Sequence, residues 1–236
     1  MDPYAWSWNP EALVAVPLLT AGYLWALRRF PAPAWRIACY LGAMALVLAV
    51  TVTPVETIAM NYLLSVHLVQ NVVLAEWAPL LFALGIPLAL AARAPRVPAL
   101  LALALWLVNY GVWHLPWIYD AALRHPHSLL HLEHALYFVT GVLLWWPVVH
   151  GDLSAGAKAA YLFAAFALAS PIGLMLALVP EAIYDFYVEA PELWGLDPLL
   201  DQQIAGVTMS LTEAVVFFAA FAFFVARFFR EQDAAA

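Results

Sequence analysis

His67, His114, His131 and His134 are the side chains of this sequence best suited to chemistry. Imidazole nitrogen is a ligand for copper, zinc and iron. His131 and His134 stand three apart and so share one helix face, which His127 extends by a turn if the helix starts early. Asn71 follows His67 by four residues, with Gln70 alongside, and Tyr110 precedes His114 by four. Met209 falls about two turns after Asp201, and its thioether is a soft donor of the kind that favours Cu(I). His125 and His127 read as solvated loop residues, and His150 as an interfacial residue without a role.

Carboxylates stand beside these histidines. Glu76 and Glu213 fall inside apolar runs. They read as proton or ion relay groups, as partners that orient a histidine, or as protonated carboxyls bonded between helices. The last reading suits Glu76; Glu213, near mid-bilayer, admits either. Glu133 diverges by about 100° from each neighbour on a helix, which places it off the face of His131 and His134 as an interfacial carboxylate. Asn109 reads as interhelical glue.

The elements that position these groups follow from composition. Of 236 residues, 66% are hydrophobic and 11% charged, against roughly one half and one quarter in soluble domains. The apolar residues come in continuous runs with no polar stripe, so no helix face is meant for water. Backbone in hydrocarbon must satisfy its own hydrogen bonds, which predicts an all-α, polytopic membrane protein. A net charge of −7 gives no reason to expect nucleic acid as a partner. The one cysteine, Cys39, excludes an intramolecular disulfide. The first residues carry no basic region, so a cleaved signal peptide is not expected.

A crossing needs roughly 20 mostly apolar residues. Seven candidates are found, at 11–27, 36–53, 60–91, 97–114, 128–149, 158–179 and 203–226, in a single transmembrane domain. The third is overlong and carries Pro79, Gly85 and Pro87, so it is expected to kink, with its inner end along the interface. Seven spans place eight of the nine basic residues on one side, and only Arg124 opposite. By the positive-inside rule the N-terminus is expected outside and the C-terminus in the cytoplasm. The outer side then holds the turn near Pro54–Glu56, the loop Leu115–His127 and the acidic, aromatic loop Pro180–Gln202. That last loop suits docking a basic partner, or is a solvated loop anchored by its aromatics. Three helices thus offer imidazoles roughly 0–10 Å below the outer surface. The alternative is that interfacial histidines only snorkel or hydrogen-bond.

Four passages resemble the CtaG-type family of cytochrome c oxidase assembly factors. They are His67-Leu68-Val69-Gln70-Asn71 with Ala78-Pro79 and Leu84-Gly85-Ile86-Pro87; Val112-Trp113-His114-Leu115-Pro116 with Tyr119-Asp120-Ala121-Ala122-Leu123; His131-Leu132-Glu133-His134 with Gly141 and Trp145-Trp146-Pro147; and Asp201-Gln202-Gln203-Ile204-Ala205-Gly206 before Met209. They run in order over about 60–210. The resemblance implies a seven-span protein of the bacterial inner membrane that helps mature a haem–copper oxidase, without catalytic turnover. Its implied partners are an oxidase subunit or a copper chaperone, within membrane lipid. Copper would be held by His67, His114, His131 and His134, with Met209 as a soft ligand. Asn71 and Glu213 would support the site, and Asp201 or Gln202 would stand at its entrance. The family pattern places a second histidine where this chain has Asn71, a poor donor for Cu(I). Haem b clamped between histidines, an intramembrane zinc hydrolase, and a purely structural chaperone are the competing readings.

Overall fold

The computed structural model describes residues 2–234. Their regular structure is helical, with one isolated bridge between Leu193 and Leu196. In chain order the helices are α1 Pro10–Leu27, α2 Ala34–Val52, α3 Pro54–Asn61, α4 Leu64–Gly85, α5 Leu88–Ala91 and α6 Ala99–Trp113. There follow α7 Pro116–Arg124, α8 Pro126–Val149, α9 Ala155–Leu178, α10 Asp185–Val188 and α11 Pro198–Asp233. Six are long and apolar enough to cross a membrane alone; α6 and α7, bent by 75° to one another, make a seventh as a pair.

Prolines and small polar residues set the boundaries. Pro10, Pro54, Pro116 and Pro198 each open a helix, where a missing N–H costs nothing. Asn9, Ser154 and Asp197 cap α1, α9 and α11 through side-chain oxygens. Leu115 is extended and Pro116 restarts the chain as α7. The segment 115–127, expected as an open loop, is therefore largely a helix, and the fourth span is only 15 residues before its bend.

The third expected span, 60–91, proves to be several pieces. α3 ends at Asn61, α4 begins at Leu64, and the chain leaves α4 at Ile86–Pro87 before the short α5. Inside α4 the residues Val73–Trp77 form a π turn. Pro79 follows at once, and it has no N–H to offer the carbonyl of Ala75 four residues back. Gly141 of α8 lies against that carbonyl: a Cβ there would collide with Ala75 O and stand 2.7 Å from Pro79 Cγ. A bare glycine lets α8 press directly on the π turn. The turn near Glu56 is also not an exposed one. α3 buries Glu56, whose carboxylate accepts from Gln70 Nε2, which also donates to Val50 O at 2.7 Å.

α4 is the innermost span, with 61% of its most apolar stretch buried against 17% for α1. α9 and α11 run close together where Gly173 and Gly206 face each other, each without room for a side chain. Between them and α4, α6 and α8 lies an aromatic core that includes Trp106, Tyr110, Tyr137, Trp145 and Phe217.

Candidate functional site

His67 is carried on the second turn of α4 and is fully buried. The Tyr187 hydroxyl gives its one proton to Ala59 O at 2.6 Å, so toward His67 Nδ1, 2.8 Å away, it is an acceptor. His67 therefore carries its proton on Nδ1, and Nε2 is a bare lone pair. The Tyr119 hydroxyl lies 3.0 Å from the same Nδ1. His114 closes α6 and repeats the logic: its Nδ1 donates to the Tyr110 carbonyl at 2.8 Å, leaving Nε2 as a lone pair. Neither Nε2 has a hydrogen-bond partner, and both are buried.

His134, on α8, meets His67 edge to face with ring centroids 6.1 Å apart. Neither of its nitrogens is partnered. Tyr119 stands between the two sides of the cluster, 5.2 Å from His67 and 6.1 Å from His114 by ring centroid. Three of the four expected histidines thus share one tyrosine-walled neighbourhood. His131 does not: its Nδ1 faces Glu11 of α1 at 3.2 Å. His125 is exposed just before α8, as expected; His127, expected in the loop, is exposed on the first turn of α8, which starts early, with its ring 5.9 Å from that of His131.

Glu133 corrects the sequence reading. It lies fully buried, with Oε1 accepting from Asn71 Nδ2 at 3.2 Å and Oε2 unpartnered. Divergence by about 100° told only that it left the face of its neighbours. α8 is enclosed on several sides here, so the other face is also interior. Asn71 is buried opposite it, its Oδ1 free of partners.

The remaining expected residues hold the scaffold. Asp201 is buried and accepts from Leu64 N at 2.6 Å, Ser65 N at 3.2 Å and Ser65 Oγ at 2.5 Å, so it caps α4 from another helix. Gln202 accepts from Ile183 N at 2.8 Å and donates to Glu181 O at 3.0 Å, fastening the loop before α11 to that helix. Met209 is fully buried on α11, which packs along α4. Glu213 is deeper, bonded to the Tyr110 hydroxyl. His150 also has a role: its Nε2 donates to Ala83 O at 2.8 Å at the far end of α4.

The loop that carries Tyr184 and Tyr187 forms a lid. Tyr184 stacks on Tyr119 with centroids 4.2 Å apart and donates to the His114 carbonyl at 3.1 Å. Burial pushes the phenols of Tyr184 and Tyr187 above their ordinary range, so both stay protonated donors. Asp120 holds the lid by accepting from Asp185 N and Phe186 N at 3.2 and 3.1 Å. The motif around Tyr119 and Asp120 was visible in the sequence; nothing there marked Tyr184 or Tyr187 as more than interfacial anchors.

Two cavities meet at Asn9 and His131. One of about 370 Å³ opens among the N-terminal segment, Glu56, Thr57 and His127. The other, about 250 Å³, is an apolar cleft between α1, α2 and α8 with His134 in its wall. Among the described residues no three His, Cys, Asp or Glu side chains are already gathered to hold a metal ion. The donors nevertheless fit one in kind, being imidazoles with buried nitrogens that nothing in the protein engages.

The family model described as cytochrome c oxidase caa3 assembly factor matches residues 21–231. No match was found among curated proteins or among solved structures.

Proposed function

The chain belongs to the cytochrome c oxidase caa3 assembly factor family, and on that premise we propose that it handles copper destined for the oxidase, in the cytoplasmic membrane of a bacterium. Assembly of the oxidase, and with it interaction with oxidase components, follows from the family; the copper, its ligands and the identity of the partner are the proposal. His67, His114 and His134 would receive the ion, and His131 with Glu11 would stand at the cleft through which it passes. Copper is cargo here and must leave again. A site placed just under a lid, rather than sealed at mid-bilayer, suits that requirement.

The observation that carries this reading is the set of unpartnered nitrogens, His67 Nε2, His114 Nε2 and both of His134, in a fully buried place. A buried polar atom without a partner costs about 1–3 kcal/mol, and three imidazoles in one neighbourhood repeat that cost. Cu(I) accepts imidazole nitrogen and needs few ligands. His67 and His134 meet edge to face, an arrangement that does not favour a macrocycle clamped between them.

The test is metal content and visible spectrum on one detergent-purified sample, with His114→Ala and His134→Ala beside the parent chain. Stoichiometric copper that both variants lose is the expected result. Equal copper in all three would sink the assignment. A Soret band would move it to haem, and variants that lose copper yet still support oxidase assembly would leave a structural chaperone.

A further inference from the structure

A second polar centre lies deeper, below the histidines. Glu76 sits in the π turn of α4 and Glu213 on α11, both fully buried. The π turn of α4 packs against α11 at this level. In the residues beside the two glutamates, Trp77 Nε1 donates to Thr212 O at 3.3 Å and ties the two helices together. Glu213 Oε1 accepts from the Tyr110 hydroxyl. Glu213 Oε2 and both oxygens of Glu76 have no protein partner. The surroundings are aromatic: Trp106 and Trp145 pack on Phe217, one turn along from Glu213, at 5.8 and 5.5 Å, and their indole N–H groups are likewise unpartnered. Among the described residues no cation forms an ion pair with either carboxyl.

We propose that Glu76 and Glu213 together form a membrane-embedded proton-binding site whose protons exchange with the aqueous phase. Two neighbouring carboxylates in hydrocarbon cannot both hold a negative charge without a cation, so a proton is the ligand that fits. Glu76 lies within the π turn, whose extra residue rotates its side chain out of ordinary helical register; such turns recur at functional sites. Tyr110 joins the two centres. Its hydroxyl bonds Glu213 while its carbonyl accepts from His114 Nδ1, so a change at either centre reaches one residue common to both. The titratable groups on the helices around the pair are otherwise engaged: Glu133 of α8 with Asn71, and Tyr161 of α9 with the Leu144 carbonyl at 3.1 Å. The inference does not depend on copper, and a chain that binds no metal would still hold the proton.

Infrared difference spectroscopy on the full chain in lipid tests it. At neutral pH a protonated carboxyl band is expected that shifts in D2O, weakens as the medium is made alkaline, and is lost in the Glu76→Gln, Glu213→Gln double variant. Glu213→Asp, which keeps the carboxyl and Tyr110 within reach, is expected to keep a band at a displaced position, and it serves if the double variant does not fold. Absence of any protonated band at neutral pH, a band that never exchanges in D2O, or a band untouched by either variant each overturns the proposal.

Discussion

His67 has one nitrogen to offer because Tyr187 has already spent its proton on Ala59. Removing that hydroxyl leaves the buried Ala59 carbonyl without its donor and only Tyr119 beside His67 Nδ1. Tyr187→Phe should therefore lower stability by about 1–3 kcal/mol, read as an earlier thermal unfolding in detergent, and should let His67 flip its tautomer. Asn71 is a different case. Its amide faces Glu133 at 3.2 Å, in the place where the resembling family carries a histidine. Asn71→His adds a donor nitrogen beside an acceptor carboxylate, and copper should then be retained against a chelator that strips the parent chain. Unchanged or weaker retention would show that position to be structural. The histidines were legible in sequence because imidazole is rare inside membranes. The tyrosines around them were not, because tyrosine is ordinary at an interface, and only the folded loop shows Tyr184 and Tyr187 turned inward.

α4 is gripped at both ends by other helices. Its leading N–H groups are satisfied by Asp201, and its closing carbonyls by Arg36, Tyr23 and His150: Arg36 Nη1 reaches Leu84 O and Ile86 O at 2.7 and 3.0 Å, Tyr23 reaches Gly85 O at 3.0 Å. An anion at the start and a cation at the end also oppose the helix dipole in the stabilising sense. Asp201→Ala should cost about 1–2 kcal/mol as a lost cap, and hydrogen exchange should rise at Leu64 and Ser65 first. Gly141→Ala drives a methyl into the Ala75 carbonyl, an overpacking worth about 1–3 kcal/mol, and should disturb the π turn that carries Glu76. Equal exchange and stability in these variants would contradict the packing described. Helix locations were readable from the apolar runs, but the π turn was not. It depends on Pro79 and on Gly141, 62 positions later, meeting in space, and no local pattern records that meeting. Asp201 shows the same limit: an acid beside a motif reads as an entrance until the distant backbone that it caps is seen.

At the scale of the whole chain, composition alone settled the class, and the count of six spans plus one bent pair matches the seven expected. The 75° bend was hidden because Pro116 looks in sequence like the start of a loop. Orientation rests on the sorting of basic residues. Reporter fusions after Arg29, in 92–98, in 150–154 and beyond Asp233 should all register on the cytoplasmic side, and fusions in 189–196 outside. The reverse pattern would place the histidines on the inner leaflet and remove the case for an outward-facing site.

α11 has 36 residues without an internal proline, so it is about 54 Å long, whereas the hydrocarbon layer is about 30 Å thick. From Ala226 onward its residues are exposed, with Phe228 still lying against Gly156 of α9. It is thus a drawbar: one unjointed rod whose near end is the latch on α4 at Asp201 and whose far end is an exposed handle beside α9. A rod with no joint takes up no slack, so whatever seizes the handle also has hold of the latch.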